Sequence, residues 1–332
     1  YLKSNVTQRN RFWGESLVLP TLSGESHWTD SGHNEDYAVF AQLTYRLSDT
    51  LKLDGGVRYT RDSKTGNQQG FVVATGDRYK PTDTAPLTPL TEAFNTPYGK
   101  SWNAFTPQAT LTWTPNDDMM AYATISRGFK GGGFQNNASK AVAANTAYEP
   151  ENVTNYEVGY KSELFDRSVR WNSALFMMEY KNLQVQQTLA SCLCNVISNA
   201  ASASIKGIES DLQFAPTPQL RAWLSGTYLD ATYDSFTFAG VNNTGKELQR
   251  TPKFQIAVGA EASIGSGSWE DALTLRLAYR YQGRMPWAPE NTTWEEGYGT
   301  LDGRATLNLP NKNWSLSAFA KNMTNKLYRT NI

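Results

Sequence analysis

The stretch ALTLRLAYRYQGR, residues 272–284, decides the fold. Apolar side chains take every second position from Leu273 to Tyr281, and polar ones, including Arg276 and Arg280, take the positions between them. A period of two predicts a β-strand with one apolar and one polar face. About ten residues is also the length that a tilted strand needs to cross the hydrocarbon core of a membrane. The two tyrosines that end the apolar face fit a membrane–water boundary.

The next regular stretch, GTLDGRATLNLP at residues 299–310, repeats this alternation. A long loop, Met285 to Tyr298, precedes it, and a tight turn, Pro310 to Asn313, follows it. Long loops at one end of the strands and short turns at the other are typical of an outer-membrane β-barrel, with the short turns in the periplasm. We therefore predict an all-β fold, a transmembrane antiparallel up-and-down β-barrel.

The composition excludes other classes of protein. The 332 residues have a mean hydropathy of −0.53 and contain no apolar run near the roughly 18 residues of a membrane helix, which excludes a helical membrane protein. Low hydropathy is compatible with a barrel because lumen residues dilute the apolar ones in every strand. The 31 basic residues balance the 31 acidic residues, so no basic surplus points to nucleic acid as a partner.

About twelve amphipathic strands and one partial strand at the start follow from the same pattern. Residues 23–33 are predicted to be a surface loop and residues 63–102 a long polar loop. On the strands we expect Leu43, Leu275 and Val258 to face lipid, and Arg276 and Arg304 to face the lumen. The predicted strands are 34–47, 51–62, 105–115, 119–130, 153–164, 168–187, 205–215, 220–233, 254–264, 273–282, 301–309 and 314–325.

Several of these pieces together resemble the C-terminal part of the barrel of a TonB-dependent outer-membrane receptor, of the siderophore-receptor type. No single piece is decisive, but their order and spacing are. They are residues 41–64 (AQLTYRLSDTLKLDGGVRYTRDSK), 105–115 (FTPQATLTWTP), 122–134 (YATISRGFKGGGF), 148–164 (YEPENVTNYEVGYKSEL), 203–214 (ASIKGIESDLQF), 301–309 (LDGRATLNL) and 316–328 (LSAFAKNMTNKLY).

In that family a plug domain sits inside a barrel of about 22 strands. The resemblance implies that residues 1–332 are one partial barrel domain, and that the plug and the final strand are absent from this chain. It also implies a bacterial outer-membrane location and active import of a ferric siderophore or a similar scarce, large nutrient, energised through TonB. The implied partners are outer-membrane lipid, TonB through the missing plug, and the nutrient. No cofactor is expected.

The segment RGFKGGGFQ supplies five candidate ligand-binding residues: Arg127, Phe129, Lys130, Phe134 and Gln135. It lacks the pattern of a phosphate-binding loop and opens no helix. We interpret it as a strand that leaves the membrane and enters a flexible loop, where glycine gives the backbone freedom. In the family this loop and the one corresponding to residues 188–204 can close over bound ligand.

Three tryptophans in predicted loops, Trp28, Trp287 and Trp294, are further candidates. They could stack on a flat ligand or form an aromatic collar at the membrane interface, and the sequence favours neither. Arg280 could attract an anionic chelate. The alternative for it and for Arg58, Arg276 and Arg304 is a solvated lumen wall paired with acidic residues such as Asp54 and Glu157, which we favour.

The remaining candidates for chemistry are weak. Cys192 and Cys194 form a C-x-C and His27 and His33 share a predicted loop, but neither pair has the partners of a metal site, so none is predicted. No nucleophile–base–orienter set is evident, which argues against a catalytic site and an enzyme. A passive porin or adhesin barrel stays open as the alternative function, and a barrel enzyme ranks below both.

Overall fold

The computed structural model describes residues 2–14, 24–73, 90–135, 145–189, 194–238, 240–265, 272–309 and 314–330. Within these ranges only the backbone is described for residues 2–30, 71–73, 90–93, 187–189, 194, 195 and 200. Every regular element in the described part is a β-strand. No helix in it is long and apolar enough to cross a membrane.

Thirteen strands form one antiparallel sheet in the order β1-β2-β3-β4-β5-β8-β9-β10-β11-β13-β14-β17-β18, and β12 pairs with β11 at its border. Two further pairs, β6 with β7 and β15 with β16, are short. The strands are β1 (Leu2–Gly14), β2 (Gly24–Arg46), β3 (Leu51–Val73), β4 (Leu90–Asn116), β5 (Met119–Lys130), β6 (Gly133–Phe134), β7 (Ala147–Tyr148), β8 (Glu151–Leu164), β9 (Val169–Leu189), β10 (Cys194–Thr217), β11 (Leu220–Phe238), β12 (Val241–Asn242), β13 (Phe254–Ile264), β14 (Leu273–Gln282), β15 (Met285–Pro286), β16 (Trp294–Glu295), β17 (Tyr298–Asn308) and β18 (Ser315–Ala320).

The register of the sheet separates an apolar face from a polar face. Direct cross-strand partners form an apolar row from β8 to β13, and each of its five side chains is 40–59% exposed. We call this face outward. A parallel row on the opposite, inward face is polar, so the predicted alternation is confirmed. The outward row is Val158, Leu175, Ile208, Tyr228 and Phe254, and the inward row is Lys161, Asn172, Asp211 and Ser225.

Short turns join the strands at one end, here called the turn end. Leu47 N–H donates to Leu51 O at 2.8 Å across the first turn, and Asn116 Oδ1 accepts from Asp118 N–H at 3.1 Å in the second. At the third, Phe165, Asp166 and Arg167 all adopt positive φ. These three turns are confirmed. The predicted turn Pro310 to Asn313 lies outside the described residues.

At the opposite, loop end the strands run further than predicted. β2 begins at Gly24, β3 continues to Val73 and β4 begins at Leu90, so the loop predictions for residues 23–33 and 63–102 are wrong wherever the structure describes them. β10 likewise begins at Cys194. Beyond the membrane both faces of a strand can be polar, so the backbone ladder persists without the apolar alternation that reveals a strand in sequence.

The last strand is shorter than predicted. β18 ends at Ala320, and residues 321–324 turn instead of extending to Asn325. Asn322 has a φ of 48°, and its side chain accepts a hydrogen bond from Lys326 N–H at 2.9 Å. Asparagine tolerates this backbone and competes with the ladder for hydrogen bonds, which ends the strand.

The sheet is a partial barrel. In the part of the chain that the structure describes, β1 pairs only with β2 and β18 only with β17, so the path stays open between its two ends.

A charge placed on the outward face is expected to destabilise the barrel. In the intact protein, Leu175→Arg should cost about 2–4 kcal/mol, because its guanidinium would sit in lipid within the apolar outward row. Asn172→Arg, three residues away on the inward face, is the matched control and should cost much less. Urea unfolding in lipid vesicles measures both, and an equal loss of stability would contradict the assignment of the faces.

Candidate ligand-binding site

A loop segment lies across the inward face at the loop end. We call it the mouth loop: described residues 131–135 and 145–150, between β5 and β8. It occupies the space where β5 and β8 have ended but β3, β4, β9 and β10 continue.

The three glycines of the mouth loop are required by close packing. A Cβ atom on Gly131 would come within 2.1 Å of Asp62 Oδ2, and one on Gly132 within 2.5 Å of Tyr148 O. One on Gly133 would lie 2.4 Å from the Tyr148 hydroxyl. None of the three has a positive φ. The interpretation of this run as a source of flexibility is therefore replaced: Gly131 lets the backbone approach β3, and Gly132 and Gly133 let the two halves of the mouth loop approach each other.

Side-chain amides fasten the mouth loop to β10 and β9. Gln135 donates from Nε2 to Ile197 O at 2.6 Å and accepts from Ile197 N–H at 3.0 Å, as a neighbouring strand would. Asn199 makes the same two-way contact with the backbone of Glu149. Gln184 Nε2 donates to Gly131 O at 2.9 Å. These contacts pair backbone groups at the ends of the strands.

On the other side the mouth loop packs against β3 and β4. Phe134 is buried, with its ring centroid 4.4 Å from that of Tyr98 and 6.2 Å from that of Trp102. Trp102 Nε1 donates to Glu149 Oε2 at 3.0 Å, and Lys64 Nζ donates to Gly132 O at 2.5 Å. Apolar burial and hydrogen bonds thus hold the same segment.

Asp62 is a buried carboxylate beneath the mouth loop. It lies three residues beyond Tyr59, an exposed aromatic residue of the outward face on β3, toward the loop end, and so outside the membrane-spanning part. Its Oδ1 has no hydrogen-bond partner, while Oδ2 lies 3.5 Å from Lys64 Nζ. Burial raises the pKa of Asp62, Lys64 opposes that shift, and Asp36, its cross-strand partner, adds to it.

Two further loops dock on each other at the loop end. Asn291 Nδ2 donates to Glu247 O at 3.0 Å and its Oδ1 accepts from Glu247 N–H at 2.9 Å. Leu248 completes a small apolar core with residues at the loop ends of β9, β10 and β11, in which the Tyr233 and Phe236 rings lie 4.9 Å apart. Burial raises the pKa of Tyr233 to about 12, so this hydroxyl stays protonated at neutral pH.

Two candidate tryptophans belong to these docked loops. Trp287 is only 4% exposed, with the Arg250 guanidinium 5.6 Å from its ring centroid. Trp294 donates from Nε1 to Asn291 O at 2.8 Å and carries Arg284 at 4.6 Å from its ring. Both rings hold loop structure together, which differs from ligand stacking and from a membrane collar. Trp28 lies on β2 instead of a loop, and its side chain is outside the described residues.

The RGFKGGGFQ segment is divided between the two faces. Arg127 and Phe129 share the outward alternation of β5 with exposed Ile125, so they point away from the lumen. Lys130 lies on the inward alternation and is exposed. Phe134 is buried and Gln135 is tied to Ile197. Of the five candidates, only Lys130 offers a free group to a solute on the inward face.

Arg280 lines a groove on the inward face of β11, β13, β14 and β17. The groove has a volume of about 700 Å³ and is also lined by Gln255, Gln282, Tyr298 and Lys321. Arg280 donates to Asp302 Oδ2 at 3.0 Å. Tyr298 stacks on Tyr328 at 4.4 Å with the rings 8° from parallel. A cationic groove beside a pair of stacked rings can hold an anionic, partly flat solute.

The arginines of the wall contact other groups than the acidic residues predicted for them. Arg276 lies 3.6 Å from Glu261, while Arg58 donates to Thr60 and Arg304 to Ser317. Asp54 instead accepts from Thr44 and pairs with Lys52, and Glu157 accepts from Tyr122 at 2.6 Å. Two of the four arginines, Arg276 and Arg280, thus form ion pairs with acidic residues other than those predicted.

The predicted histidine loop is a strand, because His27 and His33 both lie on β2. Cys192 lies outside the described residues, and Cys194 begins β10. In the described ranges no three His, Cys, Asp or Glu side chains come together as a metal site.

Most of the residues that hold the mouth loop carry no signal in the sequence that marks them. Trp102 lies in a segment predicted to be a loop, and Gln184 and Asn199 belong to strand extensions with no apolar period. One signal was present: three consecutive glycines beside two aromatic residues, Phe129 and Phe134, also indicate close backbone packing.

Replacing a single mouth-loop glycine should release the loop. Gly132→Ala should weaken docking by about 1–3 kcal/mol, because its new methyl group would meet the Trp102 ring of β4 as well as the Tyr148 backbone. Gly55→Ala is the matched control, since a Cβ at that position has nothing within 4 Å. Hydrogen exchange of residues 131–135 should accelerate only in the first variant, and equal protection in both would refute tight packing.

Neutralising Asp62 should stabilise the loop end at neutral pH. Because folding raises the pKa of Asp62 above its ordinary 3.8, the group favours the folded state below pH 3.8, and this contribution is lost as the pH rises through the raised pKa. Asp62→Asn should therefore raise the melting temperature more at pH 7 than at pH 4. Asp49→Asn, in an exposed turn, is the control. A gain in melting temperature confined to pH 4 would contradict the predicted direction of the pKa shift.

Comparison with known proteins agrees with this architecture. A family model described as "TonB dependent receptor-like, beta-barrel" matches residues 5–323. The pesticin receptor of Yersinia pestis is 24% identical over 319 residues, which cover 94% of this chain and 42% of that protein. The chain thus spans less than half the length of the curated relatives it matches.

Solved structures share the fold. The ferric yersiniabactin uptake receptor FyuA from Yersinia pestis superposes with a TM-score of 0.75 at 19% identity, covering 92% of this chain and 43% of that one. The siderophore receptor PiuA from Acinetobacter baumannii gives 0.64 at 18% identity, with 91% and 40% covered. This chain belongs to the TonB-dependent receptor-like β-barrel family and is located in the bacterial outer membrane.

Proposed function

We propose that the intact protein binds a ferric siderophore, or a similar scarce, large nutrient, outside the cell and imports it with energy relayed through TonB. The observation that carries the proposal is the cationic groove on the inward face of a sheet whose outward face is apolar. The relatives named as siderophore and ferric yersiniabactin receptors support the substrate class.

The charges of the groove favour an anionic solute. Two cations line it, Arg280 and Lys321, against one carboxylate, Asp302. Arg280 already pairs with Asp302, whereas Lys321 has no ion pair among the described residues. One net positive charge in a recess raises the local concentration of anions, and many ferric chelates are anionic.

We infer that residues 1–332 form the C-terminal part of the barrel, with the plug domain and the closing strands supplied by the rest of the receptor. Unpaired edges like those of β1 and β18 would each leave a row of N–H and C=O groups unpaired in lipid. The share of the relatives that the chain covers, 42%, supports this division.

A passive porin or adhesin barrel is the second candidate. Its supporting observation is the polar inward face, which any water-filled barrel would share. The mouth loop weighs against free diffusion, since its packed glycines and Phe134 fix a chain segment across the inward face.

Uptake in matched strains separates the two functions. Cells that express the intact receptor as their only iron receptor are given labelled ferric chelates, with and without TonB. Import should require TonB. Arg280→Gln with Lys321→Gln should weaken binding about tenfold, the value of one charge-assisted contact. Arg170→Gln at the turn end is the control. TonB-independent uptake would support the passive barrel, and unchanged affinity would place the ligand elsewhere.

A further inference from the structure

Two residues singled out in the sequence, Arg127 and Phe129, lie on the outward face, where they cannot serve the groove. Arg127 follows Ile125 on the outward alternation of β5, and Ile125 is the cross-strand partner of Tyr156. The guanidinium therefore lies one step beyond Tyr156 toward the loop end and one step short of Phe129. A side chain there can lay its stem along the apolar face and place its charge among lipid headgroups.

A second cation joins Arg127 on this face. Arg127 Nη2 donates to Asn152 Oδ1 at 3.4 Å, and Asn152 is the cross-strand partner of both Phe129 and Lys181. Lys181 is exposed and has no ion pair in the described part of the chain. Strands β5, β8 and β9 are adjacent, and Lys181 lies two residues beyond the row of Arg127, so the Cα atoms of the two residues are about 12 Å apart, within the reach of long side chains.

We propose that Arg127, Asn152 and Lys181 form a binding site on the outward face for the phosphate of a lipid headgroup in the outer leaflet. Arg and Lys donors converge on it, the Asn152 amide adds a further donor, and Phe129 and Tyr156 offer apolar surface above and below. Arginine binds phosphate oxygens with two parallel hydrogen bonds.

The position of this site relative to the aromatic rows recurs elsewhere on the face. Arg61 lies one outward step beyond Tyr59, and Lys206 one step beyond Ile208, the partner of Tyr228. Both are exposed, and neither has an ion pair among the described residues. Cations that recur on the loop-end side of exposed apolar side chains match a layer of anionic headgroups better than they match a single soluble partner.

One carboxylate opposes the site. Glu179 is on the outward alternation of β9, across from Thr154, which is itself the partner of Arg127. Its charge should repel a phosphate and lower the affinity. This predicts a substitution that strengthens binding, which damage to the fold cannot imitate.

The test uses the intact receptor in detergent, titrated with lipid A and followed by native mass spectrometry. Arg127→Gln with Lys181→Gln should weaken lipid A binding about tenfold or more, and Glu179→Gln should strengthen it severalfold. Arg167→Gln, a cation at the turn end, should change nothing. Each variant is checked for the heat-modifiable mobility of a folded barrel.

Three outcomes would overturn the proposal: unchanged affinity in the double variant, equal binding of dephosphorylated lipid A, or loss of affinity in Glu179→Gln. The site depends on the outer-membrane location and not on the proposed transport. Ferric chelate uptake measured in the same variants keeps the two apart, since a failure of either leaves the other standing.

Discussion

In lipid, every backbone N–H and C=O group must find a partner within the protein, and this constraint organises the whole chain. Here thirteen strands meet this requirement by hydrogen bonding to their neighbours, in a register that is nearly unbroken across the sheet. Because side chains alternate along a strand, the ladder forces two continuous faces. The row from Val158 to Phe254 and the polar row from Lys161 to Ser225 are therefore consequences of one register.

The same need for partners explains how the loop end is built. Before Ala201, where pairing with β11 has not yet begun, the backbone of β10 is paired on one side only, and the side-chain amide of Gln135 pairs with Ile197 as a strand would. Asn199 does the same for Glu149. Glycines at 131–133 permit the approach that these short amides require. The mouth loop thus continues the backbone pairing of the wall at the loop end.

The membrane part of the fold could be predicted from the sequence and most of the candidate site could not. In β14 and β13, lipid on one side and water on the other impose a period of two, and both strands were predicted to within a residue. Beyond the membrane both faces of a strand meet water, so the sequences of the extensions of β2, β3 and β4 show no apolar–polar alternation. Lys321 and Tyr298 reach the groove through pairings between strands, which local sequence does not encode.

The nine residues from Arg127 to Gln135 show why a motif cannot be assigned one role before its register is known. Successive positions on β5 alternate between faces, so Arg127 and Phe129 meet the headgroup layer while Lys130 meets the lumen. Past the end of β5 the alternation stops, and packing decides: Phe134 is buried against Tyr98 and Trp102. A basic, aromatic, glycine-rich string suggests one ligand site in sequence. In three dimensions its residues contact three different environments, and only register and burial assign each residue to its own.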